Sequence, residues 1–227
     1  GAAEWLLRHR GETEFLEENI TNLPTKLSRI GGWYVDSKQH TMVNIDGRGV
    51  QEIDRVFEIS SKEVSRFQIQ QFNASHPNDA RYQPTTDCPA GVVLWFDAVR
   101  YCQWLNEEAE IPKSEWCYPP RGEITNDIVP MAADLLRSGY RLPTNEEWVY
   151  ACQAGATTSR FYGDDDALLP KYGWLFENSG NRAWPIGMLK PNDHGLFDMY
   201  GNVSEWRATI TSWDATRVKI GGGAFST

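Results

Sequence analysis

Every strong helix signal in this chain lies before Gly155, and the remaining third is built from glycines, prolines, aromatics and short extended pieces. That asymmetry constrains the fold more than any other feature. A doubly wound α/β protein alternates helices with strands along its whole length, whereas helices gathered in one part of the chain point to an α+β architecture. Residues 1 to 18 read as a helix, with Ala2, Trp5, Leu6 and His9 at helical spacing. Ser65 followed by Gln68 predicts a capping box that opens a short helix to Phe72. Between 94 and 109, Ala98, Cys102, Leu105 and Ala109 share one face, with Asp97 as the expected cap. Thr144 with Glu147 predicts a second capping box, Trp148, Ala151 and Cys152 facing inward and Gly155 closing the helix. Gly31-Gly32 breaks the chain, and Trp33 to Ile45 alternates loosely enough for two short strands. Asp46-Gly47 is a turn signal, and Val56, Phe57 and Ile59 suggest a third strand. Residues 110 to 140 carry Pro112, Pro119, Pro120, Gly122 and Pro130 and read as irregular. The expected fold class is therefore α+β, loop-rich, with short strands and two main helices.

A chain of 227 residues is long enough for one core-bearing domain, or a domain with a small appendage. Ten tryptophans beside 19 glycines and 12 prolines indicate indoles filling a core between irregular segments. The net charge of −9 and the absence of a basic stripe argue against nucleic acid as a partner; Arg8 and Arg10 stand beside Glu12 and Glu14. No apolar run approaches the ~20 residues of a membrane span, so no membrane partner is expected, and no signal peptide is legible. The compartment stays open. The chain opens on Gly, which suggests a part of a longer protein.

Several chemistries lack their motifs. There is no GxSxG, no GxGxxG and no phosphate-binding loop, since Gly221-Gly222-Gly223 is not followed by Lys and Ser or Thr. Cys88, Cys102, Cys117 and Cys152 are scattered and read as small buried thiols, with a structural disulfide as the alternative. His9, His40, His76 and His194 are isolated and read as surface or turn residues. Asp164-Asp165-Asp166 reads as a solvated loop. Asn19, Asn73 and Asn202 fit the glycosylation sequon.

One stretch stands apart: GLFDMYGNVSEW, residues 195 to 206. A tight bend at Gly201 would bring Asp198, Glu205 and intervening backbone carbonyls together. Calcium wants about six to eight oxygens, which loops can supply. The same residues equally suit a glycine-centred turn whose aromatics pack inward.

The chain also resembles a known family. VVLWFDAVRYCQWLNEE (92–108), GYRLPTNEEWVYACQAG (139–155), GLFDMYGNVSEW (195–206) and RVKIGGGAF (217–225) are similar, in order, to blocks of the formylglycine-generating enzyme or sulfatase-modifying factor family. KPNDHG (190–195) and FEISSKEVSRFQIQQF (57–72) also fit. The resemblance covers about residues 33 to 227. It implies a lead-in or linker over 1–32 and, over 33–227, the family's variant of the C-type lectin fold, which would be incomplete at its C-terminus. It implies a calcium site formed by the side chains of Asp198 and Glu205 and the carbonyls of Gly201 and Val203.

Catalytic members of the family oxidise a substrate cysteine to formylglycine, using copper held by two cysteines beyond a glycine-rich strand. Here Thr227 falls at the first cysteine position, and Ser204 and Arg207 depart from the family's GNVWEWC pattern. A hydroxyl is a poor ligand for Cu(I), which selects thiolates. The resemblance therefore implies a non-catalytic binding module in a multidomain protein, with copper not expected. Its partner would be a protein, peptide or small ligand, or other domains of the same polypeptide. Trp206, Trp213 and Phe225 are the expected binding surface. The alternative is an active formylglycine-generating oxidoreductase.

Overall fold

The computed structural model describes residues 32–125, 133–208 and 220–221. The expected N-terminal helix lies outside the described residues, as do Trp213, Phe225 and Thr227. Three strands form an antiparallel meander: β1 (Trp33–Val35), β2 (Thr41–Asp46) and β3 (Val56–Ser60). Pairing runs Trp33↔Val43 and Val43↔Ile59, with Ile45 opposite Phe57. One sheet face, carrying Val43, Ile45 and Phe57, packs on Trp148, Ala151, Leu196 and Met199. The other face is covered as well, and Met42 and Asn44 are buried. Burial on both sides explains why the alternation over residues 41–46 is so weak in the sequence.

Helix α1 (Arg66–Phe72) opens on the predicted capping box, with both reciprocal Ser65–Gln68 bonds present. Helix α2 (Trp95–Glu108) starts differently from expectation. Its cap is Leu94, without a side-chain bond. Asp97 sits in the first turn, where its charge suits the helix dipole, and it pairs with Arg100 at 3.1 Å. The buried face is also wider than the predicted stripe: Val99, Tyr101, Gln103, Trp104 and Asn106 join Cys102 and Leu105, while Ala109 is exposed. The helix runs between two core clusters, one with Cys117, Leu135 and Leu142, the other with Ile69 and Trp104.

Helix α3 (Asn145–Gln153) has the predicted Thr144–Glu147 box, and its end passes through Ala154 at φ +49° and Gly155 at φ +83°. Beyond it come a 3-10 segment (Asp166–Lys171), a single turn α4 (Phe176–Ser179) and the short antiparallel pair β4 (Glu205–Trp206) and β5 (Ile220–Gly221). Among the described residues, no helix is long and apolar enough to cross a membrane.

Two buried polar knots hold these pieces together. Glu147, 1% exposed, accepts from Arg141 at 2.7 Å and from Arg55 at 2.6 Å while also closing its own capping box. Burial alone would raise its carboxyl, but the Arg141 and Arg55 hydrogen bonds hold it at about 2. The second knot involves position 40, expected to be a surface or turn histidine: it closes the β1–β2 turn, but it is not at the surface. His40 is buried, with Nδ1 2.9 Å from Asp36 Oδ2 and Nε2 2.9 Å from the Tyr101 hydroxyl. Tyr140 donates to the same Asp36 oxygen at 3.1 Å. Thus the β1–β2 turn is fastened to α2 and to the 139–141 segment by one carboxylate.

Candidate functional site

The stretch 195–206 coils tightly because four of its residues take left-handed backbone conformations: Gly195 at φ +82°, Asp198 at φ +54°, Gly201 at φ +102° and Asn202 at φ +57°. Asp and Asn tolerate that region better than most residues. At Gly201 a side chain is excluded, since a Cβ would lie 2.1 Å from the Trp174 carbonyl oxygen. Leu196, Phe197 and Met199 plug the core, and the Phe197 N–H donates to Ser61 O at 2.8 Å. The apolar side chains therefore seat the coil, and Asp198, Asn202 and Glu205 turn into the protein while Ser204 stays exposed.

Three carboxylates gather there. Asp198 is 1% exposed; its Oδ2 accepts the Gly187 N–H at 2.7 Å, and its Oδ1 is buried without a hydrogen-bond partner. Glu205 accepts the Trp148 indole N–H at 2.7 Å. Glu63, from the β3–α1 connection, accepts the Asn202 amide at 2.8 Å and the Val203 backbone N–H at 3.2 Å. Burial pushes Glu205 up to about 7, helped by the Asp198 charge, against the pull of the Trp148 N–H. Burial likewise raises Asp198 to about 6, against the Gly187 N–H and the nearby Lys62 ammonium. Glu63 is raised well above the usual range, by burial first and then by the charges of Asp198 and Glu205.

This environment suits a hard cation. Buried carboxylates in each other's field repel, and a lone buried oxygen is costly unless something meets it. The orphaned Oδ1 of Asp198 is such an oxygen. Among the described residues, no three His, Cys, Asp or Glu side chains close on a common point. A cation here would need backbone oxygens, and the Gly201 and Val203 carbonyls lie on the same coil. Calcium, which combines carboxylates, carbonyls and water, matches that donor set.

The other expected site residues fall as follows. Trp206 is half-buried; its indole N–H donates to Val93 O at 2.8 Å, and its ring packs against the α2 cluster. It also lines a cleft of about 1220 Å³, together with Val92, Val93, Ser204 and Tyr101. Val92, which lines this cleft beside Val93, is 74% exposed, so an aliphatic side chain stands open at the Trp206 end of it. Arg207, which departs from the family pattern, lies 4.9 Å over the Trp148 ring and donates to Asn145 at 2.8 Å. All four cysteines are free and buried. Burial raises the Cys102 thiol to about 12 and the Cys152 thiol to about 11. Asn202, although in a sequon, is fully buried and hydrogen-bonded to Glu63 and Trp184, whereas Asn73 is exposed. The acidic run is used locally: Asp164 binds Ser159, Asp165 caps the 3-10 segment and Asp166 pairs with Arg160.

Sequence reasoning missed Glu63. It stands 139 positions from Asn202 and forms no local pattern with it. Its one signal was its place in the 57–72 block, just before the Ser65 cap.

Comparison with known proteins gives three kinds of match. The family described as the sulfatase-modifying factor enzyme 1-like domain matches residues 14–226. The chaperone protein LppX of Paenibacillus barcinonensis is 26% identical over 195 residues, covering 74% of this chain and 69% of that protein. The formylglycine-generating enzyme of Mycobacterium tuberculosis is 37% identical over 83 residues, which is 32% of this chain and 28% of that enzyme. The chain thus aligns with less than a third of that enzyme's length. The solved structure of Treponema denticola variable protein 1 superposes with a TM-score of 0.61 at 24% identity, over 86% of this chain and 87% of that one. That likeness establishes a shared fold.

Proposed function

The chain belongs to the sulfatase-modifying factor enzyme 1-like family, and from that premise we propose that it is a non-catalytic binding module. The supporting observation is the placement of Cys88, Cys102, Cys117 and Cys152, all buried and unpaired. Copper-thiolate redox chemistry needs thiolates that a substrate and a metal can reach. These thiols are packed in the core, and those of Cys102, Cys117 and Cys152 are shifted upward by burial. The similarity to LppX, whose name is that of a chaperone, is in keeping with recognition of another protein.

In this reading the ligand enters the cleft beside Trp206, and the exposed Val92 on its lining favours an apolar peptide segment. The 198–205 coil holds a calcium ion through Asp198, Glu205 and the Gly201 and Val203 carbonyls. The ion would supply fixed positive charge among carboxylates. The chain's own part is to orient those oxygens: Gly187 fixes one side of Asp198, and Trp148 fixes Glu205. The second reading is a formylglycine-generating oxidoreductase, favoured by the 37% identity to the mycobacterial enzyme. Titration of the reduced chain with Cu(I) separates the two. The binding-module reading expects no tight stoichiometric site. Tight binding that disappears when Cys88 and Cys152 are replaced would overturn it.

A further inference from the structure

Building on the cation reading above, we propose that Glu63 is the positioning residue of the 198–205 coil, so that cation affinity depends on a side chain which is not itself a ligand. Both Glu63 oxygens are engaged on the coil: Oε2 with the Asn202 side chain and Oε1 with the Val203 N–H. Peptide units are planar and trans, so an N–H and the carbonyl of the same unit point in opposite directions. The Val203 N–H aimed at Glu63 therefore turns the Asn202 carbonyl away from it. The Asn202 N–H, which donates to Trp174 O at 2.8 Å, likewise turns the Gly201 carbonyl away from Trp174. Two consecutive peptide planes are thus locked, one by Glu63 and one by Trp174, and the Gly201 carbonyl is among the expected ligands.

The Asn202 side chain completes the lock, giving its second N–H contact to Trp184 O at 3.1 Å and accepting from Trp184 N at 2.9 Å. The preceding residue serves the other half of the coil. Lys62 packs where a Cβ on Gly187 would stand, 2.9 Å from its Cε, and the Gly187 N–H holds Asp198. Glu63 thus fixes one arm of the coil directly, and the adjacent Lys62 packs behind the Gly187 that holds the other. Partners of this outer kind typically govern metal affinity about 10–100-fold.

Terbium luminescence tests the proposal, because Trp148 touches Glu205 and can sensitise an ion bound there. Wild type, Glu63→Gln and Asn202→Ser are titrated with terbium, with Gln68→Ala as a control that removes the α1 capping box without touching the coil. Both site variants are expected to weaken terbium binding about 10-fold or more, and the control to stay within about twofold of wild type. Asn202→Ser breaks the Glu63 contact from the other side and carries the test where Glu63→Gln does not fold. Wild-type affinity in either folded site variant, or equal weakening in the control, overturns the proposal. Absence of terbium binding in wild type overturns the cation reading and this inference with it. Binding retained in Glu63→Gln overturns this inference alone.

Discussion

The Trp148 indole donates to the Glu205 carboxylate across 2.7 Å, joining residues 57 positions apart. Each is half of a Glu-Trp pair, one at the start of α3 and one in β4. The two sequence blocks that mark the family are therefore one physical unit. Glu147 ties the first block to Arg141 and Arg55, and Trp148 ties it to the second.

Trp148→Phe keeps most of the ring volume but removes the donor to a buried carboxylate. Leaving such a group unsatisfied costs about 1–3 kcal/mol. The urea midpoint is expected to fall accordingly with an unchanged slope. An unaltered midpoint would show that Glu205 finds another partner.

Acid should weaken the fold through Glu147. Its folded carboxyl is held at about 2, below the usual 4.5. A depressed carboxyl contributes stability above its unfolded value, and that stability is lost as pH falls through the folded one. At about 1.4 kcal/mol per pH unit, the contribution is on the order of 3 kcal/mol. Urea unfolding between pH 5 and pH 2, compared with Glu147→Gln, measures it. The variant is expected to start less stable and to show a flatter pH dependence over that interval.

Calcium should stabilise the chain. A ligand present at about 100 times its dissociation constant adds about 2.7 kcal/mol to the folded state. The melting temperature is expected to rise with calcium, to fall with chelator and to be insensitive to both in Asp198→Ala. A wild type indifferent to calcium would contradict the assignment of the 198–205 coil.

Local relationships were legible in the sequence and distant ones were not. Ser65–Gln68 and Thr144–Glu147 are three residues apart and encode their caps directly. The bend of the 195–206 coil was legible through Gly201. Burial of β2 on both faces hid its alternation, and His40 gave no sign that Asp36 and Tyr101 enclose it. Asp97 looked like a cap because it begins the polar face of α2, but the backbone turns into the helix at Leu94. Glu63 could not be paired with Asn202 by any local rule, because only the folded chain brings the β3–α1 connection to the coil.

The most direct test of the account is turnover. The reduced, copper-supplemented chain is incubated in air with a peptide bearing the cysteine that formylglycine-generating enzymes modify, and aldehyde formation is followed by mass spectrometry. The account predicts that the peptide thiol persists at the level of a protein-free control. Aldehyde formed in proportion to the chain, and abolished when its cysteines are replaced, would contradict it.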